Sequence, residues 1–243
     1  MDAPDSENLV DIAMSVVMPA FNEERHIAAC LRRVLHAKSV MEIIVVDDAS
    51  TDATAAEVEK LMSGEPRLRL ERHARNQGKG AALRRGFSLA TGNVIIVQDA
   101  DLEYDPQDYE RVLEPIRIGR ADVVFGSRFL GGGSHRVLYF WHCVGNNLLT
   151  LLSNCFTGLN LSDMETGMKV FRAEVLRRLH LQEDRFGIEP EITSKVAALS
   201  VRIYEVPVSY YGRTYAEGKK IHWRDGVRAL WCILKYGVLR RVR

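Results

Sequence analysis

Five short runs rich in β-branched residues lie at Met14 to Met18, Glu42 to Val46, Arg67 to Leu70, Asn93 to Val97 and Ala121 to Phe125. Between them are amphipathic stretches near Glu24 to Ala37, Asp52 to Met62, Lys79 to Ala90 and Pro106 to Gly119. Strand and helix patterns in regular alternation leave few folds open. They predict βαβ units and a mostly parallel central sheet flanked by helices, an α/β fold. No internal repeat is evident. At 243 residues, 47% of them hydrophobic, the chain is long enough for one large domain and short for two. Residues 1–13 are polar and acidic and read as a loose N-terminus, 14–220 as the α/β domain, and 221–243 as a C-terminal amphipathic helix.

In an open α/β sheet the ligand crevice lies beyond the carboxyl ends of the strands. Polar clusters fall at four such ends: Pro19-Ala20-Phe21-Asn22-Glu23-Glu24, Asp47 to Asp52, Gln98 to Glu103, and Gly126-Ser127-Arg128. That placement is itself a site prediction. Further along, the glycine run Gly131 to Gly133 reads as a mobile loop, and Val137 to Ser162 contains no Asp, Glu, Lys or Arg. A strand at Met168 to Phe171, a helix at Glu189 to Leu199, a strand at Arg202 to Tyr210 and a helix at Ile221 to Leu239 complete the pattern.

The central clue is Asp99-Ala100-Asp101 after an apolar strand. Alternate residues of an extended chain point the same way, and Glu103 prolongs the row, so three carboxylates can approach one point. Like-charge repulsion opposes that arrangement unless a hard cation such as Mg²⁺ or Mn²⁺ is present, and such an ion keeps phosphate oxygens in its shell. The bland alternative is a solvated acidic loop. Asp48 follows a buried strand and can reach a base or ribose, while Asp47 and Asp52 suit turn forming or helix capping, the role assigned to Asp52. Glu23 and Glu24 serve either as first-turn carboxylates or as ligand contacts.

Asn76 to Ala82 opens a helix with small residues, which permits close approach of backbone to a ligand. It is neither a P-loop nor a dinucleotide turn. Tyr210 to Lys220 gathers aromatics, glycines and the cations Arg213, Lys219 and Lys220. Cations there suit a departing diphosphate, although a solvated basic loop has the same composition.

The ordered set Val17 to Glu24, Val46 to Asp52, Asn76 to Gly80, Asp99-Ala100-Asp101 and Gly126-Ser127-Arg128 resembles glycosyltransferase family 2 with the GT-A fold, in its polyprenyl-phosphate, dolichol-phosphate mannose synthase-like branch. The likeness runs from Met14 to about Gly226. It implies an inverting enzyme that uses a nucleotide-diphosphate sugar, such as GDP-mannose or a UDP-hexose, with Mg²⁺ or Mn²⁺. Pro19, Phe21, Glu23, Asp48, Lys79 and Asp99 would line the nucleotide pocket. Asp99, Asp101 and Glu103 would hold the metal, with Asp101 the principal ligand. Arg128, Asp163, Arg213 and Lys219 would join Asp101 in catalysis. Glu103 departs from the glutamine common in the mannose synthases, so the donor does not transfer. Arg213 and Lys219 keep the six-residue spacing of the branch's basic pair, with Ala216 and Gly218 in place of the usual glycine and serine. Asp163-Met164-Glu165-Thr166-Gly167 sits where the branch has an Asp-containing segment ending in Ser-Gly, a resemblance that would put Asp163 near the acceptor. A lipid monophosphate needs little help from a base, whereas a hydroxyl acceptor requires one, with Asp163 or Glu165 the candidates.

Net charge is +1, with 33 basic against 32 acidic residues, which gives no general case for nucleic-acid binding. Cys30, Cys143, Cys155 and Cys232 form no C-x-x-C pair and suit reduced core thiols rather than zinc. The N-terminus lacks a signal-peptide pattern, and no run of 18 or more strongly apolar residues suggests a spanning helix. Val227, Leu230, Trp231, Leu234 and Val238 recur at helical spacing among Arg224, Arg228, Lys235, Arg240, Arg241 and Arg243. That suits either an interfacial helix on anionic lipid or packing on the core. Leu138, Trp141, Leu148, Leu149, Leu152 and Phe156 add to the membrane reading, and in the resembled branch their segment is an interfacial acceptor helix. The expectation is a polyprenyl-phosphate sugar synthase, peripheral at the cytoplasmic face of the membrane. A family 2 enzyme with a hydroxyl acceptor and a non-catalytic sugar-nucleotide binder are the alternatives, and a homo-oligomer stays open.

Overall fold

Seven strands form one sheet in the order β3-β2-β1-β4-β6-β5-β7: β1 (Met14–Ala20), β2 (Val40–Asp47), β3 (Leu68–Arg72), β4 (Val94–Val97), β5 (Val123–Ser127), β6 (Lys169–Arg172) and β7 (Ile203–Pro207). The computed structural model describes residues 9–131, 136–137, 139–214 and 223–241, with the side chains of 223, 224 and 238–241 left aside. Expectations for residues 1–8, for Gly132, Gly133, Leu138, Ala216, Gly218, Lys219 and Lys220, and for the side chains of Arg224, Val238, Arg240, Arg241 and Arg243 lie outside the described residues. Helices α1 (Ile27–His36), α2 (Thr54–Met62), α3 (Lys79–Leu89) and α4 (Tyr109–Arg117) follow the first strands as expected. They are joined by α5 (Phe140–Thr157), the single-turn α6 (Ala173–Leu176), α7 (Ile188–Ala198) and α8 (Trp223–Arg241).

β1, β2 and β4 are buried along almost their whole length, because helices cover both faces of the sheet. One core cluster joins Val16, Met18, Ile43, Val45 and Ile96 to α1 and α4, and a second joins Val17, Ile95, Val97, Phe125 and Phe171 to α3 and α7. The pairs β1–β2, β1–β4, β2–β3 and β5–β7 are parallel. β6 alone runs antiparallel, inserted between β4 and β5. Reversal at β6 has a consequence for the site. The segment preceding it, 163–168, arrives at the edge where β1, β2, β4 and β5 end, so a late part of the sequence joins the early strand-end turns.

α8 packs on α5 and α7. Its inward face is Ala229, Cys232, Ile233 and Tyr236, whereas Val227, Leu230, Trp231 and Leu234 are exposed. The apolar stripe picked out by periodicity is therefore the outer one. α5 is inverted in the same sense: Thr150, Ser153 and Thr157 are its buried residues, while Phe140, Trp141, Val144, Leu148 and Leu151 face outward. Leu149, Leu152 and Phe156 are half-buried. No helix among the described residues is long and apolar enough to cross a membrane. All four cysteines are free thiols, but only Cys30 and Cys232 are core residues. Cys143 is half-buried and Cys155 exposed, since both lie on α5, whose interior face is polar.

Candidate active site

The turns after β1 and β2 are stitched together. Asn22 N donates to Ser50 Oγ at 2.9 Å, Thr51 N to Asn22 Oδ1 at 2.8 Å, and Glu23 N to Thr54 Oγ1 at 2.7 Å. Asp52 Oδ1 accepts from Thr54 N at 3.0 Å, the turn-forming role expected of it. Neither Glu23 nor Glu24 lies in the first turn of α1, which starts at Ile27. Glu24 accepts from Ala53 N at 2.9 Å at the start of α2, while Glu23 is buried and lines a cavity of about 780 Å³. Pro19, Phe21, Asp48, Lys79, Asp99, Asp101, Glu103, Arg128 and Arg213 line the same cavity.

Asp48 is already engaged in holding its surroundings. Its Oδ1 meets His73 Nδ1 at 2.8 Å and accepts from Gln77 N at 2.8 Å, while Oδ2 accepts from Gly78 N at 2.7 Å. The loop before α3 is thus anchored on the end of β2. The small residues in that loop serve chain packing. A Cβ on Gly78, whose φ is +102°, would meet Asp184 O at 2.5 Å, and one on Gly80 would overlap Glu183 O. The close approach seen at both glycines is to the backbone of 183–185, and Gly78 also lines the cavity. Lys79, between them, reaches Asp99 Oδ1 at 2.8 Å and Glu189 at 3.4 Å. Burial alone would lower its pKa, but these two carboxylates outweigh it and hold the ammonium charged.

The acidic row does not sit on an extended strand. β4 stops at Val97, and Leu102 turns into the left-handed region at φ +64°. The three carboxylates are divided between two cations, Lys79 and Arg213. Asp99 turns to Lys79, Asp101 Oδ2 accepts from Arg213 Nη2 at 2.7 Å, and Glu103 accepts from Tyr210 Oη at 2.7 Å and from Arg213 N at 2.9 Å. Arg213 also pairs with Glu23 at 3.1 Å. Among the described residues no three His, Cys, Asp or Glu side chains form a ready-made metal cage. Burial, then the charges of Glu103 and Asp99, outweigh Arg213 and push the Asp101 carboxyl up to about 7. An acidic site under such strain, already balanced by a guanidinium, has the chemistry that a hard divalent cation fits.

Beside Tyr210, whose ring its guanidinium covers at 5.1 Å, Arg128 forms a bidentate pair with Asp163, Nε to Oδ2 at 2.6 Å and Nη2 to Oδ1 at 2.7 Å, with Asn146 Oδ1 also accepting from Nη2 at 2.9 Å. Burial opposes ionisation of Asp163, but Arg128 prevails and holds its carboxyl below the usual range. Asp163 is fully buried, so it positions Arg128 and is a poor base. Glu165 does line the cavity, and burial together with the nearby Glu189 charge pushes its carboxyl up to about 7. Gly167 N donates to Tyr104 Oη at 2.8 Å, and a Cβ there would overlap Asp99, so 165–167 lies against the acidic turn.

The segment after β7 closes over that turn through a Tyr104–Tyr210 bridge and a 2.8 Å bond from Tyr211 N to Glu103 O. Sequence reasoning missed Tyr104, Asn146 and Glu189 as cavity residues. Glu189 had a signal: Glu189-Pro190-Glu191 puts two acids and a proline into the first turn of a helix whose whole start is buried.

The family model for Glycosyl transferase family 2 matches residues 15–179. Undecaprenyl-phosphate mannosyltransferase of Micrococcus luteus is 31% identical over 215 residues, covering 84% of this chain and 85% of that protein. Polyprenol monophosphomannose synthase of Mycolicibacterium smegmatis is 28% identical, covering 84% and 79%. Among solved structures, glucosyl-3-phosphoglycerate synthase of Mycobacterium tuberculosis, in complex with Mn²⁺, UDP and phosphoglyceric acid, shares the fold. It superposes with a TM-score of 0.73 at 20% identity over 93% of this chain and 78% of that one. The mostly parallel α/β architecture with flanking helices is that expected of the GT-A fold.

Proposed function

This chain belongs to glycosyl transferase family 2 and is a glycosyltransferase, and from that premise we propose that it transfers a sugar from a nucleotide-diphosphate donor to a polyprenyl phosphate at the cytoplasmic membrane face. The observation that carries the acceptor assignment is α5. Its Trp141, Asn146 and Leu149 line the cavity, its polar residues face the domain, and its apolar residues face outward beside those of α8. A lipid anion can then enter at its phosphate while its chain stays on an apolar surface. The relatives' names, an undecaprenyl-phosphate mannosyltransferase and a polyprenol monophosphomannose synthase, support the same reading.

In this reading Pro19, Phe21, Glu23 and Asp48 flank the nucleoside, and Lys79 beside Asp99 faces the diphosphate. Asp101 and Glu103, with Asp99 beside them, would hold Mg²⁺ or Mn²⁺, which neutralises charge on the departing diphosphate when bound. Arg213, with Lys219 outside the described residues, would swing from the carboxylates to that leaving group. Arg128, fixed by Asp163, would orient the acceptor phosphate. A phosphate oxygen attacks the anomeric carbon as the carbon–oxygen bond to the diphosphate breaks on the opposite face. Phosphomonoesters have a second pKa of about 6, so no general base is needed at neutral pH. Glu165 favours a second reading, transfer to a hydroxyl, because a carboxyl raised to about 7 is suited to base catalysis.

The test is a turnover panel of GDP-mannose, UDP-glucose and UDP-N-acetylglucosamine with Mn²⁺ or Mg²⁺, with and without a short polyprenyl phosphate. Transfer to the phosphate lipid is expected. Donor binding with transfer only to glycan or glycolipid hydroxyls would replace the main reading with the second.

A further inference from the structure

Two carboxylate oxygens at the cavity accept no hydrogen bond. Glu189, 4% exposed, gives one oxygen to Lys169, while its Oε1 has only the Lys79 ammonium at 3.4 Å. Oε1 of Glu165 is buried and accepts nothing. Lys79 and Lys169 are thus taken up by Asp99 and Glu189, and Glu165 beside them has no ion-pair partner among the described residues.

A buried acceptor without a donor costs about 1–3 kcal/mol, and folded proteins leave few. Both orphans belong to residues lining the same cavity, where a donor can arrive. A second cation suits the place poorly, since it would sit against two ammonium groups. Hydroxyls suit it well, because they donate without adding charge. Through Gly167 the Glu165 segment also abuts Asp99 and Tyr104, beside the turn assigned to the diphosphate. A sugar hanging from that diphosphate falls against Glu165 and Glu189.

We propose that Glu165, with the open oxygen of Glu189, forms the subsite that reads the hydroxyls of the donor sugar and selects an uncharged hexose over a hexuronate. The inference rests on the donor assignment above. Like-charge repulsion inside a buried site supplies the selection against a sugar carboxylate.

The experiment is calorimetric titration, with Mn²⁺, of UDP, UDP-glucose, UDP-glucuronate, GDP and GDP-mannose into wild type, Glu165→Gln and Glu165→Ala. Both variants should bind the bare nucleoside diphosphate as wild type does. The nucleotide hexose should bind about tenfold more weakly to Glu165→Gln and more weakly still to Glu165→Ala, as expected for loss of a charge-assisted hydrogen bond. The preference of wild type for UDP-glucose over UDP-glucuronate should narrow in Glu165→Gln. Equal weakening of nucleotide and nucleotide sugar would overturn the assignment, as would unchanged donor affinity with a collapsed kcat, which marks a base. Wild type that binds no nucleotide at all removes the donor assignment itself, a result separate from any behaviour of the variants.

Discussion

Arg213 Nη2 donates to Asp101 Oδ2 at 2.7 Å, and the same guanidinium reaches Glu23 and Glu103, so a side chain of the protein balances the acidic turn. A divalent cation and this guanidinium then compete for the same oxygens. Arg213→Ala should let Mn²⁺ alone raise the melting temperature more than it does in wild type, while turnover falls roughly 100-fold or more through loss of leaving-group stabilisation. A thermal-shift titration with Mn²⁺ checks the first half. Identical Mn²⁺ responses in the two proteins would place the cation elsewhere.

Asp101→Asn should abolish cation-dependent transfer and keep the fold. Because the carboxyl of Asp101 sits near 7, above its ordinary value, the native state holds its proton more tightly than the unfolded chain. Its contribution is present at low pH and lost as pH rises through about 7. Without added cation the Asn variant should be at least as stable as wild type at pH 8, measured by urea unfolding. Wild-type turnover by the variant in chelator would sink the metal assignment.

Glycine inside a helix ordinarily gains about 1 kcal/mol on change to alanine. Gly80 in α3 should do the reverse, because its Cβ would overlap Glu183 O, and backbone there yields little. A loss of roughly 1–3 kcal/mol is expected for Gly80→Ala. A stabilised variant would show that the 183–185 backbone is free to move away from α3.

Glu183 ties the same loop to α8, accepting from Arg228 at 2.6 Å and from Lys235 and Tyr236, each at 2.9 Å. Burial would raise its pKa, but these donors push it down to about 2. The stabilisation is full above the ordinary carboxylate value near 4.5 and disappears as pH falls through about 2. The shift sets a ceiling of about 3 kcal/mol. Solvent around the half-exposed Arg228 reduces that to about 1–2 kcal/mol. Glu183→Gln should be less stable at pH 7 and show a flatter decline between pH 5 and 2. Superimposable pH–stability curves for the two proteins would remove the latch.

Trp231 is 58% and Leu234 40% exposed, so replacing both with Ser should leave the melting temperature within a degree or two of wild type. Partition onto anionic vesicles should fall tenfold or more, since each apolar side chain carries about 1.5–3 kcal/mol of burial. A clear loss of stability with unchanged partitioning would mean the outer stripe packs on protein.

The sheet was legible because β1, β2, β4 and β5 are buried on both faces and announce themselves as β-branched runs, and the strand ends that this placed side by side bring Glu23, Asp48, Asp99, Asp101 and Arg128 to the lining of one cavity. The direction of β6 was not legible, since Lys169–Arg172 carries no mark of which neighbour it pairs with. The geometry of the acidic row was not legible for a local reason: period-two reasoning needs a strand, and Leu102 breaks the chain into a left-handed turn, so that Asp101 and Glu103 meet at Arg213 while Asp99 turns to Lys79. The outer stripe of α8 illustrates another limit. Ala229 and Cys232 bury as well as Trp231 would, and hydrophobic periodicity ranks the larger side chains first although packing space ranks the smaller. Glu165 and Glu189 were beyond reach as a pair, because they meet only after the chain reverses at β6.

The outward apolar faces of α5 and α8 also bear on how the purified protein behaves. If those faces rest on lipid as proposed, a homotypic pair seen in plain buffer would be two copies covering them for want of lipid. Added detergent micelles or nanodiscs should dissolve that pair, and the stoichiometry that survives them is the one to be counted.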